Sequence, residues 1–115
     1  MNEMDMTVDV EGLLERVRQQ TDQVQRIQRA VEAMQVKGSS RNGEVTTTVQ
    51  GTGRFLEISI DPETIRRYNA RDLGDIVLEA VNDGLRKLAE ASSARFAPVI
   101  EAASRVEQPG APYQP

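Results

Sequence analysis

The sequence predicts an α+β protein in which a helix, a three-stranded antiparallel meander and a second helix follow one another. Three observations predict it. Only residues 36–62, VKGSSRNGEVTTTVQGTGRFLEISIDP, combine strand-type alternation with tight-turn signals. Long stretches with helical spacing of apolar residues flank that segment on both sides. The three strands, paired in the simplest way, also agree on which face is apolar.

The first helix is read from residue 10 onward. Residues before it are expected to fray, with Thr7 or Asp9 as the cap. Val10, Leu13, Val17, Val24, Ile27, Val31 and Met34 step by three and four, with Gln20 in the one missing slot. This is a heptad seam. A helix of about 25 residues is about 38 Å long, more than a three-stranded sheet covers. Part of the seam, represented by Val17, Val24, Ile27 and Val31, is therefore assigned to contact with a second copy. A seam that faces its own core is the alternative. The polar face carries Glu15, Arg18, Asp22, Arg26, Arg29 and Glu32 at i,i+3 and i,i+4 spacings. It reads either as a solvated face of weak pairs, each worth about 0.3 kcal/mol, or as a phosphate-contacting stripe.

In the meander, Asn42-Gly43 is a strong hairpin signal, because a type I′ turn needs positive φ at both central residues. Thr52-Gly53 is a second one. Two-residue loops at both places set Val36 opposite Val49 and Val49 opposite Leu56. The next rows are Gly38, Thr47, Ile58 and Ser40, Val45, Ile60. The aliphatic residues then share one face, while Lys37, Thr48, Glu57, Ser39, Thr46 and Ser59 share the other. A one-residue slip would mix the two. Phe55 falls on the polar face and is read as a contact residue.

Pro62 cannot donate to a ladder and ends the third strand. Residues 63–68 are expected to form one helical turn. Asn69 then caps the last helix, with Asp72 at its third position. Leu73, Ile76, Val77, Ala80, Val81, Leu85, Leu88, Phe96, Val99, Ile100 and Ala103 give that helix an apolar face. Pro98 is expected to kink or break it. Asn82-Asp83 reads as a surface dipeptide partnered by Arg86 and Lys87, or, with Asn82 at a packed position, as a hydrogen-bonding contact to the sheet or to a second copy. Residues 1–107 are taken as one domain. The proline-rich tail 108–115 is expected to be disordered.

Composition excludes several function classes. The 115 residues contain neither cysteine nor histidine. Disulfides, thiolate metal sites, a cysteine nucleophile and histidine acid–base chemistry are all ruled out. No carboxylate set has metal-ligand spacing, and the GxG at Gly51–Gly53 lies within a hairpin rather than before a helix. No metal, cofactor or catalytic residue is expected. No apolar run approaches the length of a membrane span. The formal charge of −4 argues against nucleic-acid binding by the chain's overall field.

The segments Val36-Lys37-Gly38, Gly43-Glu44-Val45, Val49-Gln50-Gly51, Ile58-Ser59-Ile60-Asp61-Pro62, Asp72-Leu73 and Ala80-Val81-Asn82-Asp83 resemble the YbaB/EbfC family of small bacterial nucleoid-associated proteins. The resemblance covers roughly residues 10–105. It implies an α-β-β-β-α protomer, a homodimer with projecting helices, and non-catalytic binding of double-stranded DNA in the cytoplasmic nucleoid. Gly84 stands where the family usually has alanine, and costs the helix about 1 kcal/mol in propensity. On this reading DNA is held by arginines on phosphates with little base reading. The candidates are Arg18, Arg26 and Arg29 on the first helix, and the denser group Arg66, Arg67 and Arg71, whose charge reversal is expected to remove binding. Phe55 and Asn82 join the seam residues as candidate dimer contacts. The alternative function is a protein-interaction adaptor or chaperone-like accessory of a specialised secretion system, with a protein partner in place of DNA.

Overall fold

The computed structural model describes residues 3–107, with side-chain environments for residues 10–104. The predicted disordered tail lies outside the described residues. The element order is α1 (Glu3–Ala33), β1 (Gln35–Ser39), β2 (Val45–Gln50), β3 (Phe55–Ile60), α2 (Pro62–Arg67) and α3 (Ala70–Glu107), with the strands in the order β1-β2-β3. The chain groups into two compact units. One combines Met1–Arg29 with Phe96–Pro115 and the other is Ala30–Arg95.

α1 begins at Glu3, so neither Thr7 nor Asp9 caps it. The sequence before Gly12 has no proline or glycine to stop the helix, and acidic residues suit its positive end. At the other extreme, α3 runs unbroken through Pro98. Proline removes one N–H, and the alanines at 89, 91, 94, 97, 102 and 103 supply strong helix propensity on both sides of it.

The two hairpins keep most of the expected register by different means. Val36 pairs with Val49, Gly38 with Thr47, Thr47 with Ile58 and Val45 with Ile60. The first loop is not a type I′ turn, because Gly43 (φ 73°) has positive φ and Asn42 does not. Instead Gly43 N donates to Ser40 O, and Ser40 N donates to Val45 O, each at 2.9 Å. Ser40 Oγ accepts from Val45 N at 3.0 Å. A four-residue loop, 41–44, preserves the same pairing as a two-residue one.

The second loop has three residues. Gly53 N donates to Gln50 O, and Gln50 N to Arg54 O, each at 2.8 Å. Gly53 takes φ 91°. The extra loop residue shifts the pairing, so Val49 opposes Phe55 rather than Leu56. Leu56 is then the added residue of a β-bulge that restores the register at Glu57. Phe55 is thereby set opposite a core valine and is half-buried, not placed on the polar face.

α3 packs on β1 and β2 at very close range. Val45, Val49 and Ala80 are fully buried, and Thr47 Oγ1 donates to Ala80 O at 3.1 Å. A Cβ on Gly38 would lie 2.4 Å from Gly84 N and 2.5 Å from Ala80 O. Only glycine permits that approach. A Cβ on Gly84 would meet Thr47 Oγ1 at 3.1 Å, so the low-propensity residue in α3 leaves room for the threonine.

The expectation of one buried face across all three strands holds for β1 and β2 only. On β3, Leu56 is 44% and Ile58 46% exposed. The contacts of α3 run to β1 and β2, which leaves the aliphatic side of β3 uncovered.

The Asn82-Asp83 pair divides its roles. Asn82 is exposed. Asp83 accepts from Ser39 N at 2.8 Å and pairs with Arg86 at 2.8 Å and Lys87 at 2.9 Å. The sheet contact therefore belongs to Asp83. Hydrogen bonds from Lys87, Ser39 N and Arg86 hold its carboxyl well below the ordinary 3.8. A carboxylate whose folded pKa is depressed binds fewer protons folded than unfolded. Its contribution is present above the unfolded value and is lost as pH falls through the folded one. Asp83→Asn is accordingly expected to lower the melting temperature at pH 7. Its deficit against wild type should narrow steadily in melts taken below about pH 4.

α2 and the start of α3 follow the sequence closely. Asp61 Oδ1 accepts from Glu63 N at 3.1 Å, with Pro62 at the first helical position. Asn69 Oδ1 accepts from Asp72 N at 2.8 Å.

Candidate nucleic-acid interface

Two sets of arginines were the candidates for phosphate contact, and the structure gives them different surroundings. Arg18, Arg26 and Arg29 lie on α1 and are exposed. At 100° per residue they fall within an arc of about 80°, and Arg18 and Arg29 are about 16 Å apart along the axis. Arg18 pairs with Glu15 at 3.6 Å, with 73% of the arginine side chain exposed. Such a pair is worth little and yields readily to a stronger anion. Arg29 Nε donates to Gln25 O at 3.4 Å.

A fourth cation, Arg16, escaped the sequence reading. It lies on another side of α1, where it lines a cavity of about 270 Å³ with Gln19, Gln20, Gln23, Val99 and Ala102. The signal that would have found it is the charge along α1. From residue 16 to 29 there are four arginines and one carboxylate, Asp22, interspersed with five glutamines. Averaging over the whole acidic helix hides that basic segment.

Arg66, Arg67 and Arg71 are also exposed. Arg66 and Arg67 occupy the last turn of α2, where cations suit the negative helix end. Arg66 pairs with Glu63 at 3.3 Å. In the same unit, a cavity of about 290 Å³ is lined by Arg41, Glu44, Tyr68, Asp72, Asp75 and Glu79 among others. Arg41 N donates to the Glu79 carboxylate. Asp72 directly follows Arg71 in sequence, so this group adjoins carboxylates that oppose a polyanion within a Debye length. Each arginine set therefore has one exposed ion pair at i,i+3 spacing, Arg18 with Glu15 and Arg66 with Glu63.

The candidate dimer contacts also separate. Val17 is 52% exposed, and Val24, Ile27 and Phe55 are half-buried. Val31 is 8% exposed and its carbonyl packs on Gly51. It belongs to the core of this chain. Asn82 is exposed, without the sheet contact made by its neighbour. The large exposed apolar residues include Val10, Leu13 and Leu14 on α1, Leu56 and Ile58 on β3, and Leu78 and Leu85 on α3.

Among the described residues no cluster of three or more acidic, histidine or cysteine side chains could hold a metal ion. No helix among them is long and apolar enough to cross a membrane.

The sequence profile of the YbaB/EbfC DNA-binding family matches residues 5–103. The chain is similar to a nucleoid-associated protein of Corynebacterium jeikeium, with 31% identity over 96 residues, covering 84% of this chain and 92% of the relative. It is similar to a nucleoid-associated protein of Nocardia farcinica, with 28% identity over 102 residues, covering 89% and 93%. A nucleoid-associated protein of Rhodococcus jostii is 29% identical over 104 residues, covering 90% and 92%.

Proposed function

The chain belongs to the YbaB/EbfC DNA-binding family, and on that premise we propose that it acts as a homodimer that holds double-stranded DNA mainly by its phosphates. Its role is binding rather than catalysis, and its place is the cytoplasmic nucleoid, as the names of its relatives suggest. The observation that carries this reading is the exposed basic segment of α1. Four arginines against one carboxylate between residues 16 and 29 form a local positive field in a chain of net charge −4. Local charge governs contact with a polyanion, because solvent screens more distant charges over about 8–10 Å. Arginine and glutamine on one helix suit phosphate oxygens and groove edges without a fixed pattern of base contacts. Little sequence preference is the consequence.

Homodimerisation is supported by aliphatic surface that one protomer leaves open. Leu56 and Ile58 with half-buried Phe55 provide it on β3, and Val17, Val24 and Ile27 provide it on α1. A light-scattering mass at micromolar concentration is expected to give two protomers, and a single-protomer mass would remove the dimer from this reading.

The direct test is fluorescence anisotropy of a labelled duplex of arbitrary sequence, titrated from about 50 to about 200 mM salt. Affinity should fall with a slope of log K against log salt of about −3 to −5, with about 0.9 lost per phosphate neutralised. A flat salt response, or no binding at the lowest salt, would reject phosphate-led binding. Co-purification of a helical protein on the open α1 surface, without DNA binding, would favour the adaptor reading instead.

A further inference from the structure

The sequence of α1 is divided in charge at a single point. Up to residue 15 it carries Glu3, Asp5, Asp9, Glu11 and Glu15 and no cation, and from Arg16 to Arg29 it carries the four arginines. The helix dipole favours carboxylates in the first turn only. Glu11 and Glu15 lie beyond the second turn of a helix that starts at Glu3, so the dipole does not account for them.

The acidic half also carries an open apolar ridge. Val10, Leu13, Leu14 and Val17 are 54%, 58%, 54% and 52% exposed. Their i, i+3, i+4, i+7 spacing makes one continuous helix face. Further along, Val17, Gln20, Thr21, Val24 and Gln25 line a groove of about 280 Å³. One helix therefore offers an apolar ridge among carboxylates and an apolar groove among arginines.

From this complementarity we propose that α1 docks on α1 of a second copy in antiparallel orientation, the acidic half of each along the basic half of the other. The boundary between Glu15 and Arg16 falls near the middle of the Glu3–Arg29 span, so a two-fold axis there overlays both halves. The contact is self-complementary and closes on itself. Parallel pairing would set like charges together. Antiparallel pairing sets Arg18, which borders the ridge, along carboxylates of the partner copy, while Arg26 lies on the far side of the helix. Self-docking of α1 thus competes with DNA for Arg18, and the β3 surface remains to hold two copies together when α1 is on DNA. The competition rests on the DNA-binding reading; the pairing does not.

The absence of native cysteine makes introduced thiols clean reporters. Val10→Cys and Thr21→Cys chains would be oxidised with diamide, which leaves duplex DNA intact, separately and as an equimolar mixture. Antiparallel pairing brings position 10 of one copy beside position 21 of the other and keeps like positions about 16 Å apart along the axis, beyond disulfide reach. A disulfide-linked pair is expected in the mixture alone. Glu11→Lys with Glu15→Lys in both chains is expected to abolish it, and excess duplex to lower its yield at least about threefold. Disulfides in the separate samples, none anywhere, or a yield indifferent to the charge reversal would overturn the pairing. A yield unchanged by duplex would overturn the competition. Duplex binding is read separately by anisotropy, so chains that cross-link as described but ignore DNA would refute the DNA-binding reading and leave the pairing standing.

Discussion

Replacing Gly51 by alanine is expected to lower stability by about 3 kcal/mol or more, because the added carbon has nowhere to go. It would lie 1.5 Å from the Val31 carbonyl oxygen and 2.5 Å from the carbonyl carbon. These are backbone atoms, so no rotamer change relieves the clash. The loop cannot simply retreat, since Gly51 N donates to Met34 O at 2.9 Å and clamps the β2–β3 turn to the end of α1. Gly38→Ala should act alike where β1 meets α3, since its Cβ would fall within 2.6 Å of the backbone of Gly84 and Ala80. Lifting α3 to admit it would break the Thr47–Ala80 and Ser39–Asp83 hydrogen bonds. Gly74→Ala is the control. Nothing lies within 4 Å of its added carbon, and helix propensity alone should stabilise the protein by about 1 kcal/mol. Urea unfolding midpoints measure all three. Wild-type midpoints for Gly51→Ala and Gly38→Ala would mean that neither close approach exists in solution.

Reversing the charge of Arg18, Arg26 and Arg29 together to glutamate is expected to cost at least about 100-fold in duplex affinity at low salt and to flatten the salt slope. The same reversal at Arg66, Arg67 and Arg71 is expected to cost several-fold at most. The difference follows from their neighbours. The α1 set has Glu15, Asp22 and Glu32 nearby, and the Arg18–Glu15 pair is solvent-exposed. The second set adjoins Glu63, Asp72 and the acidic cavity of Glu44, Asp75 and Glu79. All six side chains are exposed, so neither variant should unfold, and circular-dichroism melts would verify that. Equal losses from the two variants would return Arg66, Arg67 and Arg71 to the interface. The opposite ranking would move the interface away from α1.

The starts of α2 and α3 were readable in the chain. Asp61-Pro62 and Asn69 with Asp72 announce helix starts because the capping oxygen and its N–H are only two or three residues apart. The strand register was readable because one buried face allows few alternatives. The turn geometry was not. Two-residue and four-residue loops give the same pairing at Asn42-Gly43, and a bulge at Leu56 conceals a three-residue loop at Gly51–Gly53. Nor was the acidic cavity, where Glu44 meets Asp72, Asp75 and Glu79 of α3 only once the chain folds.

The sequence by itself determined the order of the elements, the apolar face of β1 and β2, the caps of α2 and α3, the family and the absence of histidine and cysteine chemistry. Each depends on residue identity at short separation or on composition. Tertiary structure decided why Gly38, Gly51 and Gly84 are glycines, why Val31 is core while Val17 is surface, and why Asp83 rather than Asn82 ties helix to sheet. Those are contacts between distant segments at van der Waals range. A linear pattern records which residues could face one another; only packing decides how near they come and which face remains open.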